Sequence, residues 1–242
     1  MRVAIVGIGM GPQHLTREAA DALRESDYVL AARKSDQDGL LAVRHAIAAA
    51  HGLEVVEVAD PPRDRRRGSH YGQAVAAWHA ARVGAYEEVL RERGGKPAFL
   101  VWGDPSLYDS TIRVVDELSR RIPMQVEVLP GISAPQLLAA RHRIVLHRVG
   151  EAVHLTTARR LREDIAAGQR NLCVLLNASM DLSALQDWSI WWGANLGTDS
   201  EELCSGRVGE VVAEIERARA RAQQRAGWVL DLYLLRAPDE AP

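Results

Sequence analysis

The stretch Val101-Trp102-Gly103-Asp104-Pro105-Ser106-Leu107-Tyr108 decides the fold class of this chain. It closes a strongly apolar run at residues 98–102 and precedes a helical pattern at residues 109–121. A buried strand that breaks at Gly-Asp-Pro places backbone groups and one carboxylate at the carboxyl end of a sheet. Ligands of open α/β sheets bind at that edge. The stretch therefore predicts a ligand site, although an ordinary turn accounts for Gly-Asp-Pro equally well.

Strands and helices alternate along the rest of the first half, which predicts a mainly parallel α/β sheet. Thr16 is expected to cap the first helix. The second half adds further strands and a long helix. Ile122-Pro123-Met124 and Pro130-Gly131 bracket the expected junction, and we predict two domains, residues 1–125 and 126–242. The predicted strands are 3–6, 28–31, 53–58, 98–102, 126–129, 153–156, 172–176, 190–196 and 228–235, and the predicted helices are 15–25, 40–50, 71–93, 109–121, 134–141 and 208–225.

The composition is that of an ordinary globular protein. Of 242 residues, 47% are hydrophobic, and 30 Lys and Arg nearly balance 32 Asp and Glu. This balance gives no signature of a nucleic-acid partner. The chain has no signal-peptide layout and no apolar run of membrane-spanning length, so we expect a soluble cytoplasmic protein without a membrane partner. Cys173 and Cys204 have no metal-ligand spacing, and Cys173 is expected to be an inert core thiol.

The glycine-rich loop Gly7-Ile8-Gly9-Met10-Gly11-Pro12 follows the first predicted strand. Such a loop invites a dinucleotide-binding interpretation, but Pro12 occupies the position of the last required glycine. The second strand ends in Ala31-Ala32-Arg33 and supplies no acidic residue for a ribose. A nicotinamide-dependent Rossmann oxidoreductase is therefore a minor alternative.

Three motifs occur in a fixed order: Gly7-x-Gly9-x-Gly11, Gly103-Asp104-Pro105-x-x-Tyr108 and Pro130-Gly131-Ile132-Ser133-Ala134. Each is weak alone, but the ordered set resembles the tetrapyrrole (corrin/porphyrin) methylase family over nearly the whole chain. The resemblance implies the two-domain class III methyltransferase fold, with a mainly parallel N-terminal sheet and a mixed C-terminal sheet. It also implies a homodimer that binds S-adenosylmethionine in a cleft between the domains and uses no metal.

Further stretches resemble one branch of this family, whose members methylate C1 of precorrin-5 and release an acetyl group as acetate. That activity is what the resemblance implies; composition and periodicity alone indicate only an α/β enzyme with a glycine-lined cleft. Another precorrin C-methyltransferase, acting at C11 or C17, and a tetrapyrrole carrier without turnover are alternatives. The stretches are Asp60-Pro61-Pro62-Arg63-Asp64-Arg65, Trp78-His79-Ala80-Ala81-Arg82, residues 101–111, Ala139-Ala140-Arg141-His142-Arg143 and Gly227-Trp228-x-x-Asp231-x-Tyr233-Leu234-Leu235.

The resemblance also implies a set of cofactor-binding residues. Ser133 has an alternative role as a helix N-cap, and Leu107 and Leu176 are equally well explained as core leucines. The stretches Leu176-Asn177-Ala178 and Trp192-Gly193-Ala194 are expected to close the adenine slot. The implied cofactor-binding residues are Met10, Gly103, Asp104, Leu107, Ser133, Ala134, Leu176, Gly193 and Ala194.

Methyl transfer mainly requires alignment of donor and acceptor, whereas deacetylation requires a water and a donor for the oxyanion. Asp104 and Tyr108 are the predicted catalytic residues because their motif places them at the ligand-binding edge. Asp104 alternatively binds the cofactor or shapes the turn. His14 and His142 are secondary candidates, with alternative roles as a solvent-facing loop residue and a charged helix end.

A run of arginines follows the third predicted strand, at Arg63, Arg65, Arg66 and Arg67. The substrate carries peripheral carboxylates, and arginine forks bind carboxylates through paired hydrogen bonds. We predict that this run holds the substrate. A solvated surface run is the alternative.

Overall fold

The computed structural model of the chain describes residues 1–33, 39–62, 71–177 and 180–238. These residues form two units, Met1–Ile132 and Ser133–Pro242. The division falls later than the predicted boundary at residues 125 and 126, because the fifth strand pairs with the first and so belongs to the first unit.

The first unit contains a five-stranded parallel sheet in the order β3-β2-β4-β1-β5. All five residues of β4 are buried, as expected for a central strand with helices on both faces. The mainly parallel N-terminal sheet predicted from the sequence is thus confirmed. Its strands are β1 (Arg2–Gly7), β2 (Tyr28–Arg33), β3 (Glu54–Ala59), β4 (Pro97–Val101) and β5 (Gln125–Leu129).

Alternating residues of these strands contribute to two separate hydrophobic cores, one on each face of the sheet. Val6 and Leu100 pack with helices α1 (Arg17–Arg24) and α2 (Gly39–Ala50). Ile5 and Phe99 pack with helices α3 (Tyr71–Arg93) and α4 (Thr111–Ser119) on the opposite face. Thr16 Oγ1 accepts a hydrogen bond from Ala19 N at 3.1 Å, which confirms the predicted N-cap of α1.

The second unit is built on a mixed sheet in the order β6-β7-β10-β8-β9. Strand β6 is parallel to β7, and the remaining pairs are antiparallel. The mixed-sheet prediction is confirmed, whereas α6 and β9 were not expected. The elements are α5 (Ala134–His142), β6 (His154–Thr157), α6 (Leu161–Ala166), β7 (Asn171–Leu175), β8 (Ser189–Ala194), β9 (Glu202–Arg207), α7 (Val208–Ala226) and β10 (Asp231–Arg236).

Large side chains fill the core of the second unit. Trp192 and Tyr233 are completely buried there. Cys173 is also buried, and burial raises the pKa of its thiol to about 12, which agrees with an inert core cysteine. Among the described residues, every helix is too short or too polar to cross a bilayer.

Candidate functional site

Three glycine turns meet at the carboxyl edge of the parallel sheet, after β1, β4 and β5. A Cβ atom on Gly131 would lie 2.2 Å from Gly103 O, and one on Gly7 would lie 2.5 Å from Gly131 N. Both contacts are with backbone atoms, which have no rotamer by which to move away. Gly7 and Gly131 are therefore required by the close approach of these turns to one another.

Backbone hydrogen bonds join two of these turns directly. Gly9 N donates to Gly103 O at 3.2 Å, and Gly103 N donates to Gly9 O at 2.8 Å. The N–H groups of both glycines are thus engaged within the first unit. This geometry accounts for the glycine-rich loop as a chain-packing element and weakens the analogy with a phosphate-binding loop, whose N–H groups face the ligand.

Asp104 links the β4 turn to the β5 turn. Its Oδ2 accepts from Gly131 N at 2.9 Å, and its Oδ1 accepts from both the backbone N, at 2.8 Å, and the hydroxyl of Ser106. Burial acts to raise the pKa of this carboxyl, but the hydrogen bonds from Ser106 and Gly131 outweigh it and lower the pKa. Asp104 is therefore an ionised residue that links two strand ends through hydrogen bonds. This agrees with the alternative that Asp104 shapes the turn.

Tyr108 lies in the turn that connects β4 to α4 and has a backbone φ of 52°. A left-handed conformation costs a non-glycine residue of order 1–2 kcal/mol and persists only where its surroundings fix it. The Tyr108 side chain is 46% exposed, while the preceding Leu107 is half-buried. The turn thus presents a phenol at the edge where ligands bind in such sheets.

Three further side chains lie close to these turns in the sequence. Met10 is buried, with 4% exposure. His14 is half-buried and its Nδ1 atom is buried, so it is not the solvent-facing loop histidine considered above. Trp102 Nε1 is a buried donor for which the described residues supply no acceptor.

In the second unit, Ser133 and Ala134 begin helix α5. Ser133 is buried, and both its backbone N and its Oγ donate to Gln136 Oε1 at 2.8 Å. Ser133 is the N-cap residue of the helix, as its structural alternative predicted. Ala134 is half-buried at the first helical position, where a backbone N–H has no partner inside the helix.

Leu176 follows β7 directly and also has a left-handed backbone, with a φ of 57°. Its side chain is 57% exposed, so Leu176 is not a core leucine. Asn177 Nδ2 donates to Asp231 O at 3.0 Å, and Arg219 donates to Asn177 O at 3.3 Å. Asn177 Oδ1 is a buried acceptor without a donor among the described residues.

Asp231 stabilises this strand end from the neighbouring strand. Its carboxylate is 1% exposed and accepts from Arg219 Nε at 3.1 Å and Trp192 Nε1 at 3.2 Å. Burial raises its pKa, although Arg219 and Trp192 act in the opposite direction. Asp231 belongs to a motif quoted above but had no predicted role. Arg219 was not predicted as a functional residue, because helix α7 is rich in Arg and Glu, which is typical of a solvent-exposed helix.

Gly193 and Ala194 are buried at the end of β8. A Cβ atom on Gly193 would lie 2.7 Å from Leu196 Cδ2 and 2.9 Å from Leu138 Cδ1, so leucine packing by itself explains this glycine. The next residue, Asn195, was missed by sequence reasoning. It is 1% exposed with a φ of 48°, and its side chain accepts from Leu230 N at 2.9 Å.

His142 ends α5 and is half-buried, with its Nε2 atom 2.9 Å from Trp192 O. The predicted arginine run at Arg63, Arg65, Arg66 and Arg67 lies outside the described residues, as does Ala178. In the described part of the chain, His, Cys, Asp and Glu side chains form no group that would hold a metal ion.

The fold agrees with comparisons with known proteins. Residues 2–212 match the family Tetrapyrrole (Corrin/Porphyrin) Methylases, and the chain belongs to that family. The chain is a methyltransferase. It is 42% identical to precorrin-6A synthase [deacetylating] of Sinorhizobium sp over 248 residues, which cover 97% of this chain and 95% of that relative.

Solved structures support the same family. A cobalamin-synthesis-related protein, CobF, from Corynebacterium diphtheriae superposes with a TM-score of 0.84 at 36% identity, covering 98% of this chain and 99% of that one. Uroporphyrin-III C-methyltransferase from Thermus thermophilus, crystallised with S-adenosylhomocysteine, superposes with a TM-score of 0.62 at 21% identity, covering 100% of this chain and 97% of that one. The similarity to uroporphyrin-III C-methyltransferase shows only a shared fold.

Proposed function

We propose that this chain methylates C1 of precorrin-5 with S-adenosylmethionine and releases the acetyl group of the substrate as acetate. The observation that carries the proposal is the 42% identity to a deacetylating precorrin-6A synthase over nearly the full length of both chains. The proposal includes a homodimer, as the family resemblance implies, and a cytoplasmic location.

The chemistry of the described residues fits this cofactor. A nucleoside needs polar partners in an otherwise apolar slot, and Asn177 Oδ1 is a buried acceptor to which no group in the described part of the chain donates. Next to it, Leu176 exposes an apolar side chain from a strained backbone. Strain of this kind concentrates at ligand sites. We assign the adenosine to this strand end, together with Gly193 and Ala194.

We also assign to the cofactor the other residues that the family resemblance implies, which are Met10, Gly103, Asp104, Leu107, Ser133 and Ala134. The lowered pKa of Asp104 keeps a negative charge at the β4 turn, which favours a sulfonium cation. S-adenosylmethionine, when bound, supplies an electrophilic methyl group.

Deacetylation needs one water molecule and a donor for the oxyanion that forms on the acetyl carbonyl. The phenol of Tyr108 is exposed at the β4 turn, and we assign it this donor role. Cleavage of the bond between the ring and the acetyl group leaves an electron pair on the ring carbon. Methylation of that carbon consumes the pair, so each methyl transferred corresponds to one acetate released.

Binding experiments separate this proposal from the alternatives. Isothermal titration calorimetry is expected to give binding of S-adenosylhomocysteine and no binding of NADH. Binding of NADH alone would favour the oxidoreductase. Methylation of precorrin-5 at C11 or C17 without acetate would indicate another precorrin C-methyltransferase, and binding of the substrate without turnover would indicate a carrier.

The substrate carboxylates are assigned to Arg63, Arg65, Arg66 and Arg67. Exposed ion pairs each contribute about 0–1 kcal/mol, and paired hydrogen bonds contribute more. Replacing all four by glutamine is therefore expected to raise the KM for precorrin-5 at least tenfold and to leave S-adenosylhomocysteine affinity unchanged. An unchanged KM would identify this run as ordinary solvated surface.

A further inference from the structure

A mostly buried ion pair lies just beyond the end of β3. Arg82 Nε donates to Asp60 Oδ1 at 2.9 Å, and the two side chains are only 13% and 10% exposed. The guanidinium also stacks on Trp78, with Arg82 Cζ 4.5 Å from the ring centroid, and Trp78 Nε1 donates to Pro61 O at 3.0 Å. Two of the stretches singled out in the sequence, one at residues 60–65 and one at residues 78–82, are thereby joined.

The same guanidinium reaches a third element. Arg82 Nη1 donates to Ser110 Oγ at 3.4 Å, and Ser110 immediately precedes helix α4. Ser110 occupies the N-cap position, yet its side chain makes no capping hydrogen bond. Instead, Asp109 Oδ1 accepts from Thr111 N at 2.6 Å. The Ser110 hydroxyl is thus available to Arg82, and Arg82 connects the end of β3 to the turn that carries Tyr108.

Tyr108 needs such support because of its left-handed backbone. On the amino side, Asp104 and Ser106 fix the turn, and Leu107 N donates to Asp104 O at 3.2 Å. On the carboxyl side, the contact from Arg82 to Ser110 ties the turn to the body of the unit. We propose that Arg82 is a positioning residue that holds the Tyr108 turn in its strained conformation, with Asp60 and Trp78 fixing the guanidinium.

The test uses Arg82→Lys, which keeps the charge beside Asp60 and removes the planar fork that reaches Ser110 and stacks on Trp78. Ser110→Ala removes the same contact from the other side. Arg93→Lys is the matched control. Arg93 lies on the same helix, pairs with Glu54 at 2.7 Å and stacks on Tyr28 at 5.0 Å, at the opposite edge of the sheet.

The first readout is amide hydrogen exchange, measured by mass spectrometry on the free protein. We expect Arg82→Lys and Ser110→Ala each to speed exchange in peptides covering residues 104–111 by up to about tenfold, the effect of one side-chain hydrogen bond. The double variant is expected to exchange little faster than either single variant, because both substitutions remove the same contact. Exchange in these peptides that is unchanged, or changed equally by Arg93→Lys, would overturn the inference.

The second readout rests on the proposed function and measures acetate release. Arg82→Lys is expected to lower kcat while the KM for precorrin-5 changes little, and to cause no further loss in a Tyr108→Phe background. If the losses of kcat caused by Arg82→Lys and by Tyr108→Phe add fully in the double variant, the inference is overturned. A wild-type protein that releases no acetate, but shows the expected exchange pattern, would overturn the proposed function and leave the role of Arg82 in the turn supported.

Discussion

Replacement of Asp104 by asparagine distinguishes a structural carboxylate from one needed only for chemistry. If the asparagine keeps its oxygen toward Ser106, its NH₂ group faces the N–H of Gly131. Two donors then face each other, and the hydrogen bond to Gly131 is lost. The loss of one hydrogen bond to a charged acceptor costs about 1.5–3 kcal/mol. We therefore expect Asp104→Asn to lower the free energy of unfolding of the first unit by about 2 kcal/mol.

The matched control is Ser106→Ala, which removes one of the two partners of Asp104 Oδ1 and leaves the contact with Gly131 intact. The expected loss is about 0.5–1.5 kcal/mol, as for an ordinary side-chain hydrogen bond. Both variants are to be measured by urea unfolding, with hydrogen exchange of β1, β4 and β5 peptides assigning the transition to the first unit.

Activity completes the comparison. Asp104→Asn is expected to lose methyl transfer as well as stability, because the β4 turn and its neighbours are no longer held together, whereas Ser106→Ala keeps most of it. An Asp104→Asn protein that is as stable as the wild type but inactive would refute the structural role of Asp104 as a link between the two turns. The carboxylate would then be needed for activity alone.

Three further predictions follow from the same turns. Gly131→Ala is expected to destabilise the protein by about 3 kcal/mol, because its Cβ would lie 2.2 Å from Gly103 O; Gly84→Ala lies in an exposed part of α3, where an added Cβ would come within 4 Å of no described residue beyond the local helix backbone, and is expected to be neutral or slightly stabilising in the same urea titration. Tyr108→Phe is expected to slow acetate release at least tenfold while the affinity for S-adenosylhomocysteine, measured by calorimetry, stays within about twofold; equal losses in both would remove its donor role. Asp104 has a lowered pKa, so the stability it contributes is present above its unfolded-state pKa of about 3.9 and is lost only as the pH falls through the lower folded-state pKa; the free energy of unfolding, measured by urea titration, should accordingly show no loss from Asp104 between about pH 8 and 5, and a loss in that range that is absent from Asp104→Asn would contradict the lowered pKa.

The elements of the fold were largely predictable because their signals are local. The long helix at residues 71–93 has the predicted bounds, and each predicted strand overlaps an observed one. Strand β9 was not predicted because it lies at a sheet edge and its residues Glu202–Arg207 alternate between half-buried and exposed without an apolar run. The boundary between the units also differs, because Pro123 is followed by a strand that returns to β1.

The candidate site was less predictable because its contacts join distant parts of the chain. The sequence motifs identified the glycine turns, but not that Gly7, Gly103 and Gly131 contact one another. The link from Asp60 to Arg82 spans two stretches that carried the resemblance without an assigned role. Such pairings depend on strand order, which local patterns do not encode.

The most direct test of the proposed function is the stoichiometry of one incubation. The protein is mixed with precorrin-5 and methyl-labelled S-adenosylmethionine, and the labelled corrin product and free acetate are measured over time. The proposed reaction predicts equal amounts of C1-methylated product and acetate at every time point. Methylated product that accumulates with its acetyl group intact would contradict the proposal and make the chain a plain precorrin methylase.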